Sequence, residues 1–101
     1  MTEWVKAALL EEIPEDTGLA VRINGQDIAL FRMDECIYAL ENLCPHREGP
    51  IADGELEDGV VTCPWHAWQI DVRSGEVVYN ANLKAHTFPC RISSGEVQIE
   101  I

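Results

Sequence analysis

The chain is poor in basic side chains and has no long apolar run. Only 7 lysines and arginines stand against 18 aspartates and glutamates, which gives a formal net charge of -11 at pH 7. Because nucleic acids and anionic membranes attract positively charged proteins, this balance argues against both as partners. No stretch approaches the roughly 20 apolar residues that cross a bilayer, and no signal-type segment opens the sequence. We therefore expect a cytoplasmic protein whose acidic surface either serves solubility or attracts basic protein partners.

Motifs for catalysis by side chains alone are also missing. The sequence contains no nucleophile paired with a general base, no glycine-rich phosphate loop and no dinucleotide-binding fingerprint. A chain of 101 residues is long enough for one domain with its own core, but it is too small to enclose a substrate pocket as well. The sequence therefore predicts a single domain over residues 1–101 that is not itself an enzyme.

Apolar and polar residues alternate in short runs that are separated by turn signals. This is the periodicity of β-strands and not of α-helices. Turns such as Asn24-Gly25 and Ser74-Gly75 recur between these runs, and this spacing is typical of an antiparallel β-sandwich or barrel. The fold class is therefore predicted to be all-β. The predicted strands are residues 3–8, 20–23, 27–32, 36–40, 60–62, 69–72, 76–79, 86–92 and 96–101. Residues 9–12 and 53–57 are expected to form at most one helical turn each.

Two short segments that each combine a cysteine with a histidine indicate a metal site. Residues 44–46 are Cys-Pro-His, and residues 63–66 are Cys-Pro-Trp-His. Two thiolates and two imidazoles could hold one tetrahedral zinc or a two-iron cluster. Structural zinc sites usually take their cysteines from one close pair and their histidines from another, whereas each segment here is mixed. A mixed pair of segments suits a cluster in which one iron has two thiolate ligands and the other has two imidazoles.

With this C-x-H-x16-C-x2-H pattern the chain resembles Rieske-type 2Fe-2S proteins. The resemblance implies that Cys44 and Cys63 bind the inner iron, and that His46 and His66 bind the outer, more exposed iron. It also implies an antiparallel β-sandwich with a small cluster-binding subdomain, made of two loops at about residues 42–70. The similar segments outside the ligand pattern include residues 28–31, 38–42, 67–71 and 74–76.

The function that this resemblance implies is electron transfer. Rieske-type ferredoxins pass single electrons from an NAD(P)H-dependent flavoprotein reductase to the terminal oxygenase of an aromatic-ring dioxygenase or a related system. Such docking is brief and small in area, so we expect a monomer. The chain is also similar to the small subunit of assimilatory nitrite reductase, which would make it a permanent part of an enzyme. A zinc-stabilised interaction module without a redox role is the third alternative.

Four positions distinguish this chain from the high-potential Rieske proteins of quinol-oxidising complexes, which its loop pair resembles. Those proteins have a disulfide between the loops, where this chain has Gly49 and Trp65. They also have hydroxyl groups that donate to the cluster and its ligands, where this chain has Trp68 and Ile70. Because such hydrogen bonds stabilise the reduced cluster, their absence predicts a potential in the lower part of the Rieske range.

The remaining candidate residues have simpler interpretations. Cys36 and Cys90 lie in strand-like segments and are expected to be buried apolar thiols, with a disulfide between them as the less favoured alternative. His86 is far from both ligand segments in sequence and is expected to be structural. Acidic residues crowd the segment between the two ligand pairs and either belong to an ordinary solvated loop or form a docking rim. They are Glu48, Asp53, Glu55, Glu57 and Asp58.

Overall fold

The computed structural model describes residues 3–15, 17–33, 36–42, 51–63, 68–78 and 80–100, without the side chains of residues 80–82. Within these ranges the chain forms twelve strands and two 3₁₀ turns, Leu10–Glu12 and Ile51–Asp53. None of the described residues forms a helix that is long and apolar enough to cross a membrane. The strands, β1 to β12 in chain order, are Trp4–Leu9, Thr17–Ile23, Gln26–Met33, Cys36–Glu41, Glu55–Glu57, Val60–Thr62, Gln69–Asp71, Glu76–Val77, Asn80–Lys84, Thr87–Phe88, Cys90–Ser93 and Glu96–Glu100.

The strands form three antiparallel sheets that pack on one another. The first sheet has the order β1-β12-β11, the second β10-β4-β3-β2, and the third β5-β6-β7-β8-β9. Strand β3 of the second sheet is buried on both faces because four consecutive apolar residues alternate between two cores. Ile28 and Leu30 pack toward the first sheet, whereas Ala29 and Phe31 pack toward the third. The all-β antiparallel prediction is therefore confirmed, with the second sheet as the central layer.

Most predicted strands are present, and the errors have identifiable causes. Residues 53–57 were expected to form a helical turn, but the 3₁₀ turn ends at Asp53 and Glu55–Glu57 is a strand. In that strand Leu56 is buried between two exposed glutamates, which is strand periodicity too short to recognise in the sequence. Strand β9 was missed because its residues, Asn-Ala-Asn-Leu-Lys, have little β-propensity.

The predicted strand at residues 86–92 is two strands in different sheets. Strand β10 pairs with β4 of the second sheet, and β11 pairs with β12 of the first. Pro89 lies between them. Because proline has no N–H to donate to a sheet, it is a natural point for the chain to leave one sheet and enter another. The first 3₁₀ turn falls within residues 9–12, as predicted.

Two glycines let the second 3₁₀ turn lie close to strands on both sides. A Cβ atom at Gly18 in β2 would lie 2.7 Å from the carbonyl oxygen of Ala52. A Cβ atom at Gly54 would collide with the carbonyl oxygen of Thr62 in β6. The turn Ile51–Asp53 is therefore held between the second and third sheets by contacts that only glycine permits.

Replacing Gly54 with alanine should force this turn away from β6. We expect Gly54→Ala to lower the free energy of unfolding by about 1 to 3 kcal/mol, the usual cost of overpacking. In a domain of this size, about 1 kcal/mol corresponds to a fall of about 4 to 8 °C in the thermal midpoint. The exposed Glu57→Ala in the adjacent strand is the control and should stay within about 0.5 kcal/mol of the wild type. Equal midpoints for both variants would contradict the close approach.

Candidate metal centre

Of the four predicted ligands, Cys63 lies within the described residues. It follows β6 directly, and its side chain is 1% exposed in the core shared by the second and third sheets. Cys44, His46 and His66 lie outside the described residues, as do Gly49 and Trp65. The structure therefore shows one ligand candidate in place, together with the strands and turns from which both ligand loops begin and end.

The second ligand loop, residues 64–67, is closed at its base by a backbone hydrogen bond. The N–H of Cys63 donates to the carbonyl oxygen of Trp68 at 2.7 Å. Beyond this bond the chain continues as the antiparallel pair β6 and β7, in which Thr62 faces Gln69 and Val61 faces Ile70. The two ends of this loop are therefore fixed to each other by paired backbone.

The first ligand loop, residues 43–50, is closed by a side chain. Asn42 Oδ1 accepts a hydrogen bond from the N–H of Ala52 at 2.8 Å, across the two ends of the loop. Asn42 is itself held in place, because its own N–H donates to the carbonyl oxygen of Asp27 at 2.9 Å. One residue earlier, the N–H of Glu41 donates to the carbonyl oxygen of His86 at 2.8 Å. Asn42 gives no signal of this role in the sequence, since an asparagine near a turn is too common to indicate a contact ten residues away.

The bases of the two loops lie next to each other. Ile51 and Ala52, which follow the first loop, belong to the same buried core as Cys63, which precedes the second. Gly54 approaches the backbone of Thr62, and the next residue, Glu55, is the antiparallel partner of Thr62. Packing thus brings together two segments that are separated along the chain, in the way that a site with ligands from both loops requires.

The predicted donor set fits a two-iron cluster at this position. A thiolate as deeply buried as Cys63 among apolar side chains is costly unless a positive group compensates its charge. Two thiolates balance the +2 charge of an oxidised 2Fe-2S core, and neutral imidazoles add none, so the whole site would be close to neutral. Among the described residues, which include one of the four predicted ligands, no group of three His, Cys, Asp or Glu side chains is arranged to hold a metal ion.

The two other cysteines are free thiols, and one differs from its prediction. Cys36 was expected to be buried but is exposed, because it is the first residue of β4, at the end of the sheet. Cys90 is partly buried, and desolvation by burial raises its pKa to about 11. Because a metal ligand must be a thiolate, a thiol that keeps its proton at neutral pH is a poor competitor for iron.

His86 and Trp68 have contacts that explain their positions. The ring of His86 makes an edge-to-face contact with Phe88, with 4.7 Å between ring centroids, and its carbonyl supports the strand before the first ligand loop. These contacts agree with the structural role predicted for it. Trp68 is half-buried against the core that contains Cys63. Trp68 therefore contributes to the packing of the core that contains Cys63.

The described acidic residues between the two loops are exposed. Asp53, Glu55, Glu57 and Asp58 all have exposed side chains on the second 3₁₀ turn and the β5–β6 hairpin. Glu55 pairs with Thr62, the residue before Cys63. The negative charge of this hairpin therefore lies beside the base of the second ligand loop.

Comparison with known proteins identifies what the chain is similar to. The family model described as the Rieske [2Fe-2S] domain matches residues 3–92. The ferredoxin component of the naphthalene 1,2-dioxygenase system of Pseudomonas aeruginosa is 37% identical over 105 aligned positions, covering 100% of this chain and 99% of that protein.

Solved structures share the fold. The ferredoxin of carbazole 1,9a-dioxygenase from Nocardioides aromaticivorans IC177 superposes with a TM-score of 0.87 at 23% identity, covering 95% of each chain. A putative NADH-dependent nitrite reductase small subunit from Mycobacterium tuberculosis superposes with a TM-score of 0.90 at 20% identity, covering 100% of this chain and 96% of that one. At these identities the two structures establish the architecture, and they confirm the predicted Rieske-type antiparallel fold.

The cysteine environments predict which thiols are needed for iron binding. We expect Cys63→Ala to abolish bound iron and acid-labile sulfide, because it removes a buried candidate ligand. Cys90→Ala is the control, since it removes a thiol that is partly buried and is not a predicted ligand, and it should keep the wild-type metal content. Iron and sulfide analysis of the two purified variants measures this directly. Full iron content in Cys63→Ala would exclude Cys63 as a ligand.

The raised pKa of Cys90 predicts its reactivity with alkylating agents. With a pKa of about 11, Cys90 has about one thiolate per thousand molecules at pH 8, and this fraction rises about tenfold per pH unit up to the pKa. We therefore expect iodoacetamide to modify the exposed Cys36 long before Cys90 at pH 8. The Cys90 rate should then climb steeply toward pH 10, which peptide mass mapping of the native protein can follow. Equal rates for the two thiols at pH 8 would contradict the burial of Cys90.

Proposed function

The chain belongs to the Rieske [2Fe-2S] domain family, and from this membership we propose that it carries single electrons to a terminal oxygenase as the ferredoxin component of an oxygenase system. It carries a Rieske 2Fe-2S cluster, which supplies one-electron oxidation and reduction when bound. The catalytic chemistry then belongs to the oxygenase, and this chain acts as a carrier rather than as an enzyme.

The observation that carries this proposal is the match to a ferredoxin component along both whole chains. At 37% identity the alignment covers 100% of this chain and 99% of the Pseudomonas aeruginosa protein. The nitrite reductase small subunit gives a higher TM-score, but at 20% identity this similarity supports the fold alone. The nitrite reductase subunit therefore stays the second candidate, and the ferredoxin is the function that we propose.

Within this function we propose Cys44 and Cys63 as ligands of the inner iron, and His46 and His66 as ligands of the outer iron. Burial of Cys63 and the adjacent bases of the two loops support this assignment. We also propose that residues 1–101 form one domain, with the cluster-binding subdomain at about residues 42–70. In this arrangement the sheets fix the ends of the two loops, and side chains at the loops bind the iron atoms.

The residues near Cys63 support a low potential within the Rieske range. Ile70 is completely buried and has no hydroxyl group to donate to a cluster sulfur. Trp68 stands at the other position where high-potential relatives have a hydroxyl group. With fewer hydrogen bonds to stabilise the added electron, the reduced state is less favoured.

We propose two transient partners, a flavoprotein reductase that gives the electron and an oxygenase that receives it. The net charge of -11 and the exposed acidic hairpin beside the base of the second ligand loop favour a basic surface on each partner. Brief encounters suit a monomer that docks with one partner at a time. We further propose that the protein is cytoplasmic, where NAD(P)H is available to the reductase.

Spectroscopy and redox titration of the purified protein test this function together. We expect a red-brown protein that bleaches with dithionite and then gives a rhombic EPR signal with an average g below 2. Its midpoint potential should lie below about +150 mV, in the lower part of the range of roughly -150 to +300 mV. The potential should also fall at alkaline pH, because histidine ligands lose protons more readily when the cluster is oxidised.

Each contrary outcome points to a specific alternative. A colourless protein that binds zinc without iron would favour the interaction module. A potential above about +150 mV would contradict the assigned effect of Trp68 and Ile70. A permanent complex with a nitrite reductase large subunit on purification from the source cells would favour the second candidate, whereas the ferredoxin should separate from its partners.

A further inference from the structure

We propose that Asn42 is a positioning residue of the cluster site, which holds the first ligand loop closed so that the cluster is retained. This inference rests on the proposed function, because it takes Cys44 and His46 of that loop as iron ligands. Asn42 does not contact iron in this proposal. It acts through the backbone at the end of the loop.

The geometry of the contact supports this role. Asn42 Oδ1 lies 2.8 Å from the backbone nitrogen of Ala52, so a single side chain joins the residue before the loop to the second residue after it. Both ends are anchored. The N–H of Asn42 donates to Asp27 in β3, and Ala52 is buried against Gly18 in β2. The described residues on either side of positions 43–50 are therefore joined to each other and held against β2 and β3.

The two ligand loops differ in what closes them. The second loop is closed by the backbone bond from Cys63 to Trp68, which is independent of the side chains at those positions. The first loop is longer, and the hydrogen bond described across its ends is made by the Asn42 side chain. A longer loop loses more conformational freedom when its ends are fixed, so it depends more on the bond that fixes them. A single substitution at Asn42 can therefore remove this contact.

Loss of the asparagine oxygen would have a specific consequence at Ala52. Ala52 is buried, so its backbone N–H would lose its hydrogen-bond acceptor in a place where water has little access. The end of the loop would then move to satisfy this group, and the ligands within the loop would move with it. An aspartate at position 42 would still offer an acceptor oxygen at the same distance, so it should replace the function of Asn42.

The test measures how fast the loaded protein loses its cluster. Wild type, Asn42→Ala and Asn42→Asp are purified with the cluster bound, and the decay of visible absorbance is followed with an iron chelator present, well below the thermal midpoint of each protein. Ser74→Ala is the matched control. It removes another side-chain acceptor of a backbone N–H, the 3.2 Å bond from Glu76 to Ser74 Oγ, at a turn outside both ligand loops.

We expect Asn42→Ala to release the cluster at least about fivefold faster than the wild type, because it breaks a hydrogen bond and leaves a buried donor. Asn42→Asp and Ser74→Ala should remain within about twofold of the wild type. Rescue by aspartate is the result that separates positioning of the loop from a general loss of stability. Equal release from Asn42→Ala and wild type, or from Asn42→Ala and Ser74→Ala, would overturn the proposal.

Failure of the proposed function would look different. In that case the wild-type protein itself would lack the two-iron spectrum or would remain in a permanent complex with a nitrite reductase large subunit, and neither result depends on residue 42. If Asn42→Ala yields no folded protein, Asn42→Ser takes its place, because its hydroxyl is too short to reach Ala52 as the amide does. Release from Asn42→Ser at the wild-type rate, with the wild-type spectrum intact, would then overturn the role of Asn42.

Discussion

Burial of strand β3 on both faces is the constraint on which the rest of the structure depends. Ile28 and Leu30 pack against the first sheet, while Ala29 and Phe31 pack against the third. Burial of apolar side chains contributes most of the favourable free energy of folding, and the side chains of this one strand are buried in both cores. The third sheet has its position because it covers the second face of β3, and Cys63 lies in the core between them.

The positions of the residues at the bases of the two ligand loops follow from this packing. The turn Ile51–Asp53 lies between β2 and β6 because glycines on both sides permit close backbone contact. The end of the first loop is therefore brought next to the start of the second. A cluster that takes ligands from two loops needs the separation of those loops to be fixed before iron binds, since a site assembled on rigid elements pays less entropy on binding. The sheets fix that separation, and the hydrogen bonds at the loop bases complete it.

Two parts of the molecule, the apolar core around Cys63 and the acidic β5–β6 hairpin, differ in charge and burial and serve different purposes. The core around Cys63 is apolar, which favours a site whose net charge is near zero, whereas the neighbouring β5–β6 hairpin presents exposed acidic side chains. An electron carrier needs this combination. It must keep its redox group in a defined environment and still meet its partners briefly, and long-range attraction between opposite charges speeds such encounters without making them permanent.

The sequence by itself determined the all-β class and the acidic charge, and it predicts the set of donors, because each is local. Alternation identifies a strand, and the mixed Cys-His pairs identify the chemistry of the centre without any knowledge of packing. Only the tertiary structure decided that Cys36 is exposed, that Pro89 separates two sheets, and that Asn42 bonds to Ala52. These features depend on which distant segments lie together. That is settled by the burial of apolar faces and by hydrogen bonds between residues far apart in the chain, which local pattern does not encode.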